Sequence, residues 1–345
     1  MKPSSFTYRH DYTQTLTYKI FLARKSRPDE FISFVQALGI IRQVHRLTRG
    51  IPQIVYLVGW QYDGHDSRYP CWAQVNHRLG RGEDADATES LRWLMREAAT
   101  LQATVSLHIN MCDAYPDSPL WDEYVQKDLL NRNPDGSLML GGIWDGVQSY
   151  LVSKTREWQA GLAKRRIDAL VEMLPLAQAG MIHIDVFRPC PSPFHNMGLE
   201  FAADFADTFY TRTLPWHFLN RHTILRHVHT ADSYEVHFAD DVRTVVRKND
   251  RRFHLWQGDR LLAENTDLLL PAPWAGQECV AYSRQGGRRT WEMPPDWKSV
   301  TRVELEDLTP TAVRRLAPQS VTKGLITLDL QPRQAVCVRP ATSHL

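Results

Sequence analysis

The sequence predicts an α/β fold joined to a β fold: a partial or shortened (β/α) barrel of the TIM type followed by a C-terminal antiparallel β-sandwich. Three observations predict it. Apolar runs of strand length at residues 54–60, 103–110 and 181–187 alternate with amphipathic stretches of helix length, the pattern of a parallel sheet walled by helices. Each of these runs opens into a loop crowded with polar side chains, as at the carboxyl ends of barrel strands. Beyond residue 225 the pattern changes to short alternating segments separated by Gly, Pro and Asn-Asp turns, which suits an antiparallel sandwich.

Taken in order, residues 14–23 alternate as a lead-in strand, and residues 29–44 carry Phe31, Phe34, Val35, Leu38, Ile41 and Val44 on one helical stripe. Gly50-Ile51-Pro52 ends that helix. We assign residues 1–50 to this lead-in, 51–224 to a truncated barrel-type catalytic domain and 225–345 to the sandwich. The run 54–60 enters a loop holding Asp63, His65 and Asp66. A helix follows from Thr88 through Leu91, Leu94, Met95 and Ala98, with Asp86 and Glu89 at its favourable end. The run 103–110 carries His108 and Asn110 and leads to Asp113. An excursion through the Asn133-Pro134-Asp135-Gly136 turn precedes residues 147–152. A helix over 157–179, with Leu162, Ile167, Leu170, Val171 and Leu174 on its apolar face, then delivers the chain to 181–187, between Gly180 and a proline-rich turn. Asp185 stands near the end of that last run, where α/β enzymes place their chemistry.

Composition excludes several classes. With 41 basic and 39 acidic residues and a net charge of +2, the chain has no electrostatic footprint for nucleic acid. The cluster of Arg247, Lys248, Arg251 and Arg252 reads as a solvated face. No apolar stretch reaches the roughly 18 residues that span a bilayer, and the first ten residues are too polar for a signal peptide. A cytoplasmic location is expected, or a secreted one if a leader precedes Met1. Five cysteines without a CxxC pair fit neither a disulfide framework nor a zinc knuckle. Eleven tryptophans and twelve tyrosines offer flat faces suited to sugar rings as well as to cores.

The motifs Tyr56-Leu57-Val58-Gly59-Trp60-Gln61 with Gly64-His65-Asp66, Ser106-Leu107-His108 with Asn110, Asp113-Ala114-Tyr115, and His183-Ile184-Asp185-Val186-Phe187 occur in series. Together with Thr213-Leu214-Pro215 and Phe218-Leu219-Asn220-Arg221-His222 they resemble glycoside hydrolase family 101, the endo-α-N-acetylgalactosaminidases. The resemblance covers roughly residues 15–340. It implies a retaining hydrolase of α-linked N-acetylgalactosamine in O-glycans, with Asp185 as nucleophile and His65 and Asp66 binding sugar hydroxyls. Asp63, His108, Asn110, Asp113 and Trp144 complete the expected substrate contacts.

A retaining glycosidase needs a second carboxyl, about 5–5.5 Å from the nucleophile, to protonate the leaving oxygen. The family's acid is a glutamate on the strand after the nucleophile's. Here residues 198–205 read as helical or irregular, and Glu200 is the sole glutamate between Asp185 and Leu214, so it stands as the substitute candidate. A full barrel takes about 250 residues, and residues 54–225 offer fewer. The second half of the barrel is therefore expected to be missing, which leaves exposed strand edges or a homo-oligomer that covers them. His65, Asp66, His108 and Asp185 are types that bind divalent ions, but no HxH or HExxH pair anchors a site, so no metal or other cofactor is assigned. The partner expected is carbohydrate, with neither nucleic acid nor membrane. The alternative function is a non-catalytic carbohydrate-binding protein that keeps the sugar-binding loop.

Overall fold

The computed structural model describes residues 16–47, 49–50, 52–185, 200–203, 216–218, 242–247, 252–257, 260–264, 268–271, 276–283, 285–297, 299–308, 314–332 and 334–341. The expected boundary near 225 lies outside them.

Strand β1 (Leu16–Phe21) is followed by a short hairpin, β2 (Ala23–Arg24) and β3 (Arg27–Phe31), and by helix α1 (Phe34–Leu47). Then come β4 (Gln53–Val58), α2 (Ala87–Ala99) and β5 (Ala103–Asn110). β1 pairs in parallel with β4, and β4 with β5. The segment predicted to be a lead-in is thus the first βα unit of the sheet. Burial of Tyr18, Ile20, Val55, Leu57, Val105 and Leu107 with the apolar stripes of the two helices makes it so. The expected stripe holds at Phe34, Leu38, Ile41 and Val44, all buried, and Ala37 and Ile40 widen it; Val35 faces solvent, and Phe31, also exposed, belongs to β3. Helix α2 starts where predicted, because the Asp86 carboxylate accepts the Glu89 N–H at 2.9 Å, a capping bond that satisfies one of the helix's open donors.

The excursion after β5 folds into its own small unit. β6 (Asp113–Ala114), α3 (Trp121–Gln126), β7 (Leu140–Trp144) and β8 (Val147–Leu151) enclose a core of Ala114, Tyr124, Leu129, Leu130, Val152 and Leu162. The predicted long helix is three: α4 (Lys154–Gln159), α5 (Leu162–Met173) and α6 (Leu176–Ala179). Gly161, at φ 74°, breaks the first junction, and Pro175, which has no N–H to continue the ladder, the second.

β9 (Met181–Asp185) pairs in parallel with β5, β10 (Glu200–Ala203) with β9, and β11 (Trp216–Phe218) with β10. Among the described residues six parallel strands form one sheet in the order β1-β4-β5-β9-β10-β11, the α/β core of a barrel-type fold. The helical or irregular reading of 198–205 is corrected, since Glu200–Ala203 is a strand. The short run Phe201-Ala202-Ala203 carries no alternation, and tertiary pairing decides its state.

The C-terminal part is antiparallel, as expected. β12 (Val242–Arg247), β13 (Arg252–Gln257) and β14 (Arg260–Glu264) form one sheet. β15 (Leu268–Pro271), β16 (Cys279–Ser283), β17 (Gly287–Glu292), β18 (Arg302–Asp307), β19 (Arg314–Thr322), β20 (Leu325–Leu330) and β21 (Gln334–Pro340) form another, of seven strands. β14, β17 and β19 carry charged residues that hide the alternation. No described helix is long and apolar enough to cross a membrane.

Candidate active site

Three strand outlets build the site. The first leaves β4 through Gly59, at φ 75°, where a Cβ would stand 2.1 Å from the Ala23 carbonyl oxygen, and through Gly64, at φ 128°, where it would stand 2.6 Å from the same atom. Only glycine allows both the left-handed backbone and that approach. The approach lets the His65 N–H donate to the Ala23 carbonyl at 2.8 Å, so the β2 strand holds the loop against the sheet. His65 Nε2 lies 3.3 Å from Asp66 Oδ2, and both side chains are mostly buried.

The second outlet is that of β5. Asn110 is buried and shapes the turn: its Oδ1 accepts the N–H groups of Cys112 at 2.7 Å and Asp113 at 3.0 Å. Its Nδ2 donates to Asp113 Oδ2 at 2.7 Å. Asp113 Oδ1 also accepts from the Ser149 hydroxyl at 2.9 Å, which ties the outlet to β8.

The third outlet ends β9. The parallel register sets His108 beside His183 and Asn110 beside Asp185. The two imidazole planes are nearly parallel, at 14°, and their Nδ1 atoms are 2.9 Å apart. His108 Nε2 faces Asp185 Oδ2 at 3.6 Å. In the tautomer that turns an N–H toward Asp185, His108 carries its proton on Nε2 and His183 Nδ1–H donates to His108 Nδ1. In that tautomer the buried pair presents a donor to Asp185. His65 completes the group, its ring edge-on to His108 with centroids 5.1 Å apart.

Burial raises the Asp66 carboxyl to about 7, with the charges of Asp113 and Asp145 adding to the rise and Arg24 opposing it. Asp113 is raised as well, first by burial, although Ser149 and Asn110 donate to it. The Tyr69 hydroxyl is pushed well above its ordinary value by burial and then by Asp66, Asp185 and Asp113; all three carboxyls thus lie around it.

The structure therefore brings together His65, Asp66, His108, Asn110, Asp113 and Asp185. Asp63 lies on the same loop but is engaged by Arg68 Nε at 3.1 Å and by the Ser67 hydroxyl at 3.3 Å. Trp144 sits at the tip of the β7–β8 hairpin, 48% exposed. Its ring lies over Gly142, where a Cβ would meet it at 2.4 Å. The turn is Asp145-Gly146, both at positive φ, and Asp145 accepts from the Ser26 hydroxyl at 2.6 Å.

Glu200 is corrected as the acid. Its Cα pairs with Met181, at the entry of β9, whereas Asp185 ends that strand. At about 3.3 Å per residue, four residues separate the two levels by roughly 13 Å. The residues to which sequence reading gave no role are His183, Tyr69 and Ser149; His183 carried a signal in its i, i+2 spacing to Asp185 on one face of a strand.

A model of the endo-α-N-acetylgalactosaminidase family, glycoside hydrolase family 101, matches residues 10–278. The chain belongs to that family. Among solved structures, it is similar to an α-N-acetylgalactosaminidase from Bifidobacterium bifidum at 14% identity and a TM-score of 0.45, over 58% of this chain and 36% of that one. The chain thus spans about a third of that enzyme's length. It is also similar to an α-amylase from Lactobacillus plantarum, at 11% identity and a TM-score of 0.44, over 94% of this chain and 99% of that one. The family membership follows from the match over residues 10–278 alone.

Proposed function

We propose that this chain is a retaining glycoside hydrolase acting on α-linked N-acetylgalactosamine of O-glycans, with Asp185 as its nucleophile. The observation that carries the reading is the Asp185 carboxylate at the carboxyl end of a central strand, faced by His108 Nε2 at 3.6 Å. A nucleophile on a rigid strand end is held to the tolerance that displacement at an anomeric carbon requires. The stacked His183–His108 pair packs beside it and gives it a fixed polar neighbour. Asp185 attacks C1 and forms a glycosyl ester, the leaving oxygen takes a proton, and water then hydrolyses the ester.

Burial holds the Asp66 carboxyl at about 7, so we give it the leaving-group proton. His65, Asn110 and Asp113 meet sugar hydroxyls, Asp63 steadies the loop through Arg68, and the exposed Trp144 ring stacks on the sugar's C–H face.

The test is hydrolysis of an aryl α-N-acetylgalactosaminide and of its Galβ1-3GalNAc counterpart. Wild type releases the aryl alcohol with net retention, and Asp185→Asn loses at least about a thousandfold in kcat. Binding of the sugar in calorimetry with no release from wild type would replace this reading with that of a carbohydrate-binding protein.

A further inference from the structure

We infer that His65, His108 and Asp185 form a binding site for one divalent first-row transition ion of the zinc class, and that the ion and the sugar exclude one another. One ligand atom from each of the three lies within 4.8 Å of the others. They arrive from three separate segments, the β4 outlet, β5 and β9, so chain spacing gives no sign of them. Two imidazoles and one carboxylate select zinc, copper, nickel or iron over magnesium and calcium, which prefer all-oxygen sets.

Zinc sits about 2.0–2.2 Å from nitrogen and oxygen ligands, so atoms sharing it lie roughly 3–3.5 Å apart. His108 Nε2 and Asp185 Oδ2, at 3.6 Å, stand just outside that spacing. The remaining approach belongs to His65, which stands on a loop and turns in by roughly 1 Å.

The surroundings match a ligand's support. A metal-bound imidazole uses its other ring N–H to hold its orientation, and His108 has that partner in His183, Nδ1 to Nδ1 at 2.9 Å. With zinc on Nε2, His108 donates from Nδ1 and His183 becomes the acceptor, so the pair reverses its proton order. Asp66 Oδ2, 3.3 Å from His65 Nε2, is near enough to enter as a fourth ligand. Because Asp185 then gives its lone pair to the ion, it cannot attack a sugar, and zinc acts as a reversible inhibitor. Only this inhibition rests on the glycosidase reading; the binding does not.

The experiment is calorimetric titration of the full chain, stripped with EDTA and freed of it, with zinc chloride alone. Expected is one zinc per chain, no detectable heat with calcium or magnesium, and affinity at least tenfold weaker in His65→Ala and in Asp185→Asn. His183→Gln should weaken it tenfold or more without removing a ligand. His77→Ala, which removes an exposed histidine, should leave it unchanged. Circular dichroism checks that each variant is folded; His65→Ala, a loop substitution, keeps the test open where Asp185→Asn or His183→Gln fails to fold. No zinc binding by wild type, or equal binding by wild type and folded His65→Ala, overturns the inference. Aryl-glycoside hydrolysis, assayed beside it with and without zinc, separates the two readings. Zinc bound through these residues without any hydrolysis sinks the glycosidase and keeps the metal site, while hydrolysis with no zinc bound keeps the glycosidase and sinks the metal site.

Discussion

Asp66 shows how a single residue carries the site's electrostatics. Its φ of 52° and its place behind two glycines set the carboxyl into the pocket, where burial raises it from an ordinary 3.8 to about 7. Between those values the folded chain holds a proton that the unfolded chain releases. Stability from this group is therefore full below about pH 4 and falls as pH rises to 7. Asp66→Asn lacks the proton and the loss. At about 1.4 kcal/mol per unit, the stability difference between variant and wild type should move by on the order of 3–4 kcal/mol in the variant's favour between pH 4 and pH 8. Urea unfolding at both pH values measures it, and a constant difference would show that the carboxyl titrates normally. The sequence did reveal Asp185, His65 and Asp66, because a carboxylate ending an apolar run and a Gly-His-Asp turn are local features. The His108–His183 contact was hidden, since it exists only once β5 and β9 pair in register.

At the scale of elements, the β4 outlet is bolted to the helices by a buried ion pair. Arg166 and Glu157 are joined directly, with side chains 4% and 1% exposed. Arg166 also donates to the Pro70 carbonyl at 2.7 Å and lies 4.0 Å from the Trp72 ring centre, while the Tyr124 hydroxyl donates to Glu157. One network thus spans the outlet, α3, α4 and α5. Removing one charge strands the other away from water, so Glu157→Gln should cost about 3–5 kcal/mol in urea unfolding. The double variant Glu157→Leu with Arg166→Met should recover most of that, because it buries no charge; equal losses in both would mean that packing alone matters. None of this was legible beforehand. Helical periodicity over 157–179 suggests one continuous helix, and the breaks at Gly161 and Pro175 were outweighed by the apolar repeat. By contrast, β4, β5 and β9 were legible because strands buried on both faces leave uninterrupted apolar runs.

At the scale of the whole molecule, the C-terminal sheet is built into the α/β core. The period of two along β16 divides its side chains between two interiors: Val280 and Tyr282 join Leu38, Ile41 and Val44 of α1, while Cys279 and Ala281 face the sheet's own core. β21 repeats the division, with Ala335 and Cys337 on the first side and Val336 and Val338 on the second. Arg49, just past α1, adds a clamp, its Nε 2.6 Å from Glu278 Oε2, and Glu278 also lies 3.7 Å from Arg339 Nη1. A strand whose two faces serve two cores cannot unfold with one and stay with the other. Scanning calorimetry of wild type should therefore show a single transition with equal calorimetric and van't Hoff enthalpies. Tyr282→Ala, which empties the shared face, should cost about 3–5 kcal/mol and split that transition in two. Two transitions in wild type, with Tyr282→Ala shifting only the weaker, would mean that the sheet stands as an independent unit despite the shared strands.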